Sequence, residues 1–365
     1  MVKSVLNKNN YIFLPFLILL MFLAFIYPSQ IKDYFEFIDW KTITVLISLL
    51  ITTTAIKESS FFIKITERLI YKIDNEKKLA LTLIILSSIL SMFFTNDIAL
   101  FIVVPLTLTF QTYLQNNLQK LVIFEAISVN VGAALTPIGS PQNLFLWHQW
   151  DISFVSFVVK MLPLFFVLFI FLILFSLIIF PSKKLSIKEF DRGTVLNKRL
   201  FYLSIPLLLL CVISVEFSFS FFALVVIFFI YLFFFKNILL RVDWLLILLF
   251  IIMFIDFHIV SQIPFVSSFI TQFDLQDPGS VFTLSLFSAQ IISNVPASIF
   301  MSKFSNDWFA IAYGVNVSGN GFIIGSLANI IAMRFVNTKK IWIDFHKYSI
   351  PYFAVTAVLV YIVFF

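Results

Sequence analysis

The sequence predicts an all-α polytopic membrane protein built as two inverted-topology repeats, each with a re-entrant hairpin and a broken helix. Three observations predict it. Hydrophobic residues fill 61% of 365 positions and charged residues only 12%, and the mean hydropathy is +1.04. A soluble domain carries about 25% charged residues, so most of this chain must face lipid or other spans. Polar breaks interrupt the apolar runs at membrane depth, and two of those breaks repeat each other at a fixed offset.

The elements follow in order. Lys3 and Lys8 precede a first apolar run, 11–28, which is long enough to span. No small-x-small cleavage site follows it, so it reads as a retained span rather than a signal peptide. A second span covers 40–56, and 57–78 is amphipathic and charged. Segments 79–94 and 98–114 flank the polar tip Thr95-Asn96-Asp97. A helix over 120–135 leads into the break 136–143, and apolar residues resume to Trp150. A long span runs 154–180, and the polar loop 181–199 separates the halves. Spans follow near 200–217, 219–236 and 242–257, with Asp256 and His258 where the last of these ends, which favours a structural role for them. Segment 258–278 is less apolar. Segment 279–292 leads to the tip Ser293-Asn294-Val295-Pro296, and 297–304 follows. A Gly/Asn/Ser stretch interrupts 308–335, and 348–365 is the last span. The expected organisation is a first repeat over 1–180, a cytoplasmic linker and extra span over 181–218, and a second repeat over 219–365.

Orientation follows from Lys and Arg. Segment 57–78 (Lys57, Lys64, Arg68, Lys72, Lys77, Lys78), loop 181–199 (Lys183, Lys184, Lys188, Arg192, Lys198, Arg199) and loop 337–347 (Lys339, Lys340, Lys347) are basic, hence cytoplasmic. Segment 258–280 carries only Asp274 and Asp277 as charges and lies outside. The N-terminus is then cytoplasmic, and the protein is a multi-pass protein of the cell membrane, with the lipid bilayer as an obligatory partner.

Several function classes drop out. The net charge of +6 sits in short loops, where it sets orientation and implies no nucleic acid. One cysteine, Cys211, permits neither an intrachain disulfide nor a Cys metal site. His148, His258 and His346 are too scattered for a metal cluster, and no nucleophile–His pairing or nucleotide loop suggests an enzyme. No cofactor is expected beyond a coupling ion, sodium or a proton.

The repeat is direct. Residues 130–143 and 316–329 align without a gap at an offset of 316 − 130 = 186. Val129/Val315, Asn130/Asn316, Val131/Val317, Ile138/Ile324, Gly139/Gly325, Ser140/Ser326 and Asn143/Asn329 coincide. Six of the 8 Gly fall in or beside these stretches (Gly132, Gly139, Gly314, Gly319, Gly321, Gly325), with Thr136, Pro137 and Pro141 among them. Irregular backbone at membrane depth persists only where protein or a polar cavity satisfies its N–H and C=O groups.

A broken helix exposes N–H groups at one half-helix start, which attract anions, and carbonyls at the other end. Those carbonyls, with Asn, Ser and Thr oxygens, suit a dehydrated cation such as sodium. Two hairpin tips and two breaks meeting near the midplane would form paired cation sites around one substrate site. The residues expected to line it are Thr95, Asn96, Asp97, Asn130, Thr136, Gly139, Ser140, Pro141, Asn143, Ser293, Asn294, Asn316, Asn320, Gly325, Ser326 and Asn329. Sodium would sit at Asn96, Ser140, Asn143, Asn294, Ser326 and Asn329. Asp97 is the expected coupling carboxylate, because a carboxylate at membrane depth costs roughly 2.5–3.5 kcal/mol on insertion scales. Glu125 is a weaker candidate, and Arg334 reads as a marker of the inner interface.

At these residues the sequence resembles the ion transporter superfamily. The arsenite-permease, D-type sodium/proton antiporter and citrate-transporter-like branch is the nearest likeness, and divalent anion:sodium symporters are also similar. Thr95-Asn96-Asp97 followed by Pro105 looks like that branch's first hairpin motif. Gly139-Ser140-Pro141-Gln142-Asn143 looks like its Gly-Thr-Pro-Pro-Asn break, Ser293-Asn294-Val295-Pro296 like its Asn-x-Pro tip, and Gly325-Ser326-Leu327-Ala328 like its Gly-Ser-Leu-Ala segment. The fit extends over roughly 40–335. Val295 departs from the polar residue of the divalent-anion tip, which tells against sodium-coupled dicarboxylate symport. The resemblance implies a transport domain moving like an elevator against a scaffold, often in a homodimer. The resulting expectation is a secondary transporter for an inorganic oxyanion or a carboxylate, coupled to protons or sodium by symport or antiport. The alternatives are a sodium/proton antiporter without an organic substrate and a passive channel.

Overall fold

The computed structural model describes residues 10–70, 73–110, 118–185, 195–336, 338 and 340–365. Lys3, Lys8, Lys72, Lys188, Arg192, Lys339 and the side chain of Arg68 lie outside the described residues. The described chain is helical.

Helix α1 (Asn10–Ile26) runs into a 3-10 segment, Pro28–Asp33, at a bend of 116°. Pro28 sits at the first position of the new segment, where its missing N–H costs nothing. Helix α2 (Trp40–Glu58) starts at Asp39, whose carboxylate accepts from the N–H groups of Lys41 and Thr42. Most of its length is enclosed, 72% against 28% for α8 (Phe154–Ile179) and 22% for α17 (Ile341–Phe364), so α2 is an inner helix and those two are peripheral. The amphipathic α3 (Phe61–Ile70) follows.

Two helical hairpins and two broken helices occupy the centre. Helix α4 (Glu76–Phe93) turns at Phe94 and Thr95 into α5 (Asn96–Thr107). Helix α6 (Leu118–Ala133) is separated by 134–140 from α7 (Pro141–Gln149). After α8 come α9 (Lys198–Glu216), α10 (Ser220–Phe234), α11 (Trp244–Gln262) and the short α12 (Pro264–Ile270). Helix α13 (Pro278–Ile292) turns at Ser293 alone into α14 (Asn294–Met301). Helix α15 (Trp308–Ser318) is separated by 319–326 from α16 (Leu327–Phe335), and α17 closes the chain.

Packing follows the same pairing twice. Helix α4 lies on α6 as α13 lies on α15, and α5 lies on α16 as α14 lies on α7. Helices α9 and α10 cover α2, and α1 covers α11. Among the described residues five helices, α2, α8, α9, α11 and α17, are long and apolar enough to cross a membrane, or six if the bent N-terminal pair counts as one span.

The charge-based topology has a physical counterpart. Segments 57–78 and 181–199, both expected on one side, touch: Glu76 N–H donates to Lys183 O (2.9 Å), Leu185 N–H to Asp74 O (2.8 Å) and Asn197 N–H to Ser59 O (3.1 Å). Gln30 and Gln262, both expected on the other side, are hydrogen-bonded at 3.1 Å.

Two boundaries differ from the sequence reading. Helix α11 does not end near 257 but continues to Gln262, so Asp256 and His258 sit inside a helix. The drop in hydropathy there reflects a polar seam against the 28–37 segment, not a loop. Helix α17 begins at Ile341, within the basic stretch expected to be a loop; its charged first turns precede the apolar ones.

Candidate functional site

The two breaks and the two hairpin tips meet in one buried amide cluster. Asn130, near the end of α6, is its hub. Its Nδ2 donates to Gly319 O (2.9 Å) and to Asn329 Oδ1 (2.9 Å). Its Oδ1 accepts from Asn96 Nδ2 (3.3 Å) and Ser326 Oγ (3.0 Å). One side chain thus ties together the α5 tip, the 319–326 break and the head of α16.

The reciprocal contacts exist. Asn316 Nδ2 donates to Asn143 Oδ1 at 2.7 Å, as Asn130 Nδ2 donates to Asn329 Oδ1 at 2.9 Å. The offset relating the two bonds is 316 − 130 = 329 − 143 = 186. Asn143 Nδ2 donates to Ala133 O (2.9 Å) and Asn329 Nδ2 to Gly319 O (2.8 Å), and 319 − 133 is again 186. Each Asn satisfies the freed carbonyls at the end of the preceding half-helix. At the tips, Asn96 Oδ1 accepts from Asp97 N–H (3.0 Å) and Asn294 Oδ1 from Val295 N–H (2.9 Å).

Helix starts are treated in two ways. The side chains of Asp39, Asn75, Ser153, Asn197, Asp243, Asp277 and Asp307 cap α2, α4, α8, α9, α11, α13 and α15. The four central half-helices start at Thr95, Ser140, Ser293 and Ser326, all good cap residues. None of these four side chains makes a cap hydrogen bond among the described residues. Thr95 Oγ1 and Ser140 Oγ are buried without a hydrogen-bond partner there. The starts of α5 and α7 meet directly, because Asn96 N–H donates to Gly139 O at 2.9 Å. The positive ends of four half-helices are thus left without a side-chain cap of their own among the described residues.

Backbone strain marks the second tip. Ser293 has φ 77° and ψ 156°, a region that is essentially glycine-only and costs of order 1–3 kcal/mol. Close approach marks the first break. A Cβ on Gly139 would lie 2.6 Å from Ala133 O and 2.7 Å from Ser91 O, so only glycine lets the 134–140 segment fold against α4.

The remaining expected residues fall as follows. Thr136 Oγ1 donates to Met92 O (2.6 Å), tying the break to α4. Pro141 is the first residue of α7. Gly325 turns back to Phe322 O (2.9 Å). Asn294 Nδ2 faces Gly319, 3.5 Å from where a Cβ would stand. Asn320 is fully buried, and both its amide atoms lack a partner among the described residues. Among the described residues, no hydrogen bond of the Asp97 carboxylate to the cluster is found. Asp97 lines a separate cavity of about 70 Å³ with Thr54, Lys57, Thr95 and Asp243, and its Oδ1 is buried without a partner among the described residues. Glu125 is fully buried on α6, and Thr107 Oγ1 donates to its carboxyl.

Two site residues escaped the sequence reading. Gln290 on α13 donates to Ser318 O and Oγ (both 2.6 Å) and accepts from Phe322 N–H (2.6 Å), holding the second break open. Gln142 reaches Asn316 Oδ1 at 3.5 Å, and its own Oε1 is buried without a partner among the described residues. The available signal was a lone glutamine in an apolar run four residues before the Asn294 tip.

The family and the relatives together indicate a membrane transporter of the citrate/arsenite permease type. The chain belongs to the citrate transporter family, CitMHS, whose pattern matches residues 6–307. It is 34% identical to the inner membrane protein YbiR of Escherichia coli (strain K12) over 341 residues, covering 93% of this chain and 91% of that one. It is 35% identical to the uncharacterized transporter MJ0456 of Methanocaldococcus jannaschii over 343 residues, covering 90% of each. A shorter similarity, 25% over 131 residues, links it to the silicon efflux transporter LSI3 of rice and covers 36% of this chain.

Proposed function

We propose that the protein is an ion-coupled secondary transporter for an anion, a carboxylate or an inorganic oxyanion, with the central amide cluster as its binding site. The observation that carries this reading is the convergence of four half-helix starts whose Thr and Ser cap residues do not cap them. The positive end of the helix dipole at such starts favours an anion. The family's name favours a carboxylate, and the rice relative's name favours an inorganic solute. The duplicated Asn130–Asn329 and Asn316–Asn143 bonds support two inverted repeats, with divisions near 180 and 218. In this reading the half-helices move as one body against α2, α9, α10 and α11, and Asn and Ser oxygens would hold any sodium.

A second reading, sodium/proton antiport, is favoured by Asp97. Its cavity of about 70 Å³ suits a small cation and is too small for a tricarboxylate.

The test uses proteoliposomes with a trapped pH dye and an imposed pH gradient. Citrate and a panel of oxyanions are added with and without sodium. The anion reading expects collapse of the gradient only with a particular anion, lost in Asn143→Ala. Collapse by sodium alone, abolished by Asp97→Asn, would establish the antiporter instead.

A further inference from the structure

A buried polar seam on α11 stands outside the site above. Asp256 is fully buried, and both carboxyl oxygens lack a hydrogen-bond partner among the described residues. Tyr34 lies on the 34–37 turn packed against α11, and the Tyr34 Oη is also buried without a partner there. Two residues beyond Asp256, the His258 ring stacks on Phe37 with centroids 3.8 Å apart. His258 Nε2 meets Gln262 Nε2 at 2.9 Å, and Gln262 Oε1 accepts from Gln30 Nε2 at 3.1 Å. Gln262 is exposed. The amide must donate to the ring, so neutral His258 carries its proton on Nδ1, an atom buried without a partner among the described residues.

These groups line the contact between α11 and the 28–37 segment, from the exposed end of α11 toward the buried Asp256 carboxyl. Such a carboxyl is costly to keep. An uncharged isostere would fill the same space without the cost of an unpaired buried charge. The neutral acid is the form these surroundings accommodate, and the anion requires the polar path to be wetted.

The position also has consequences for the half-helices. Within a turn of Asp256, Phe254 meets Phe145 of α7 (5.5 Å) and Phe257 meets Phe300 of α14 (6.4 Å). The carboxyl therefore sits on the helix that both half-helices rest against.

The titratable groups around it are few. The side chains of α1 from Phe13 to Ile26, α12 and α14 contribute none. Lys303 follows α14, Glu36 lies on the 34–37 turn packed against α11, and Asp39 stands at the head of α2. Lys41 is also at the head of α2. Lys57 of α2 faces Asp243 at the opposite end of α11.

We propose that Asp256 is a proton-binding site on the wall helix, loaded from water along the Gln30–Gln262–His258–Tyr34 seam. The proton comes from bulk water and returns to it, so no co-reactant is needed. This inference does not depend on the anion reading; it adds a proton site whichever solute moves.

The test is pH-difference infrared spectroscopy of the full-length protein in proteoliposomes, with protons and deuterons as the only probes. Acidification is expected to raise a carboxylic-acid C=O band that Asp256→Asn removes and that Asp97→Asn and Glu125→Gln leave in place. Transfer to D2O is expected to shift that band, severalfold more slowly in His258→Leu and Tyr34→Phe. A spectrum in Asp256→Asn identical to the parent's overturns the site. Unchanged exchange in both seam variants overturns the path. If Asp256→Asn fails to fold, Asp256→Glu serves: its band must move in frequency, and an unmoved band overturns the assignment.

Discussion

Replacing Asn130 by alanine tests the central geometry most directly. The side chain makes four hydrogen bonds, to Gly319 O, Asn329 Oδ1, Asn96 Nδ2 and Ser326 Oγ. Gly319 O keeps a bond from Asn329 Nδ2 at 2.8 Å, and the Ser326 hydroxyl can rotate. Asn96 Nδ2 and Asn329 Oδ1 lose the partner described here. Each buried orphan costs about 1–3 kcal/mol, which gives about 2–6 kcal/mol. Interhelical hydrogen bonds in a membrane average about 0.6 kcal/mol in double-mutant cycles, and four of them sum to about 2.4 kcal/mol. The lower half of the range is therefore expected. Asn316→Ala, the counterpart, strands Asn143 Oδ1 and gives up the long 3.5 Å contact from Gln142 Nε2, while Asn143 Nδ2 keeps its bond to Ala133 O. It should cost roughly 1–3 kcal/mol. The assay is SDS-induced unfolding of purified protein in mixed micelles, with Asn329→Ala added to close a double-mutant cycle. A loss below about 0.6 kcal/mol for Asn130→Ala, or one no larger than for Asn316→Ala, would refute the hub.

Three further outcomes follow from single positions. Ser293→Gly should raise stability by about 1–3 kcal/mol by releasing the strained φ of 77°, measured by thermal unfolding, while transport in proteoliposomes falls if that hydroxyl serves the solute. Gly139→Ala must displace backbone, because its Cβ would stand 2.6 Å from Ala133 O; loss of monodisperse protein on size exclusion is expected, and normal folding with full transport would contradict the close approach. Asp277 caps α13, and the Ser280 N–H and hydroxyl hold its carboxyl below the ordinary 3.8. A depressed carboxyl contributes above the unfolded value and loses that contribution as pH falls through the folded one. The gap in stability between parent and Asp277→Ala should thus be full at neutral pH and close in acid below about pH 4.

Much of this was legible in the sequence because membranes make polar residues conspicuous. In an apolar run, Asn96, Asn130 and Asn143 stand out, and the 186-residue offset pairs the latter two with Asn316 and Asn329. Hydropathy alone located the breaks to within a few residues. It did not find Gln290, whose role is set by a close approach to Gly321 that no spacing reports. Nor did it place Asp97 apart from the asparagines. Asn96 and Asp97 are neighbours in sequence, but on a helix start they point about 100° apart, so one joins the cluster and the other faces α2 and α11. The end of α11 escapes hydropathy for a related reason: the polarity beyond residue 257 lies on a helix whose Gln262 meets a second polar segment at Gln30.

The charges break the symmetry that the amides keep. Asn130 maps onto Asn316 and Asn143 onto Asn329, but Glu125 maps onto Ile311 at the same offset. At the hairpin offset of 294 − 96 = 198, Asp97 maps onto Val295. In the proposed reading of two inverted repeats, groups that hold a solute reachable from either side are useful in duplicate, because inverted halves would present the same contacts to both faces. A titrating carboxyl in duplicate would place two like charges across a site only a few side chains wide, which low dielectric makes costly. In the proposed transport reading the gradient sets the direction, and a carboxyl on one half alone would couple it by being loaded in one state and emptied in the other. On this argument, Val295→Asp should weaken coupling rather than double it. Transport measured with and without a pH gradient checks this, and a variant still driven by the gradient as strongly as the parent would count against it.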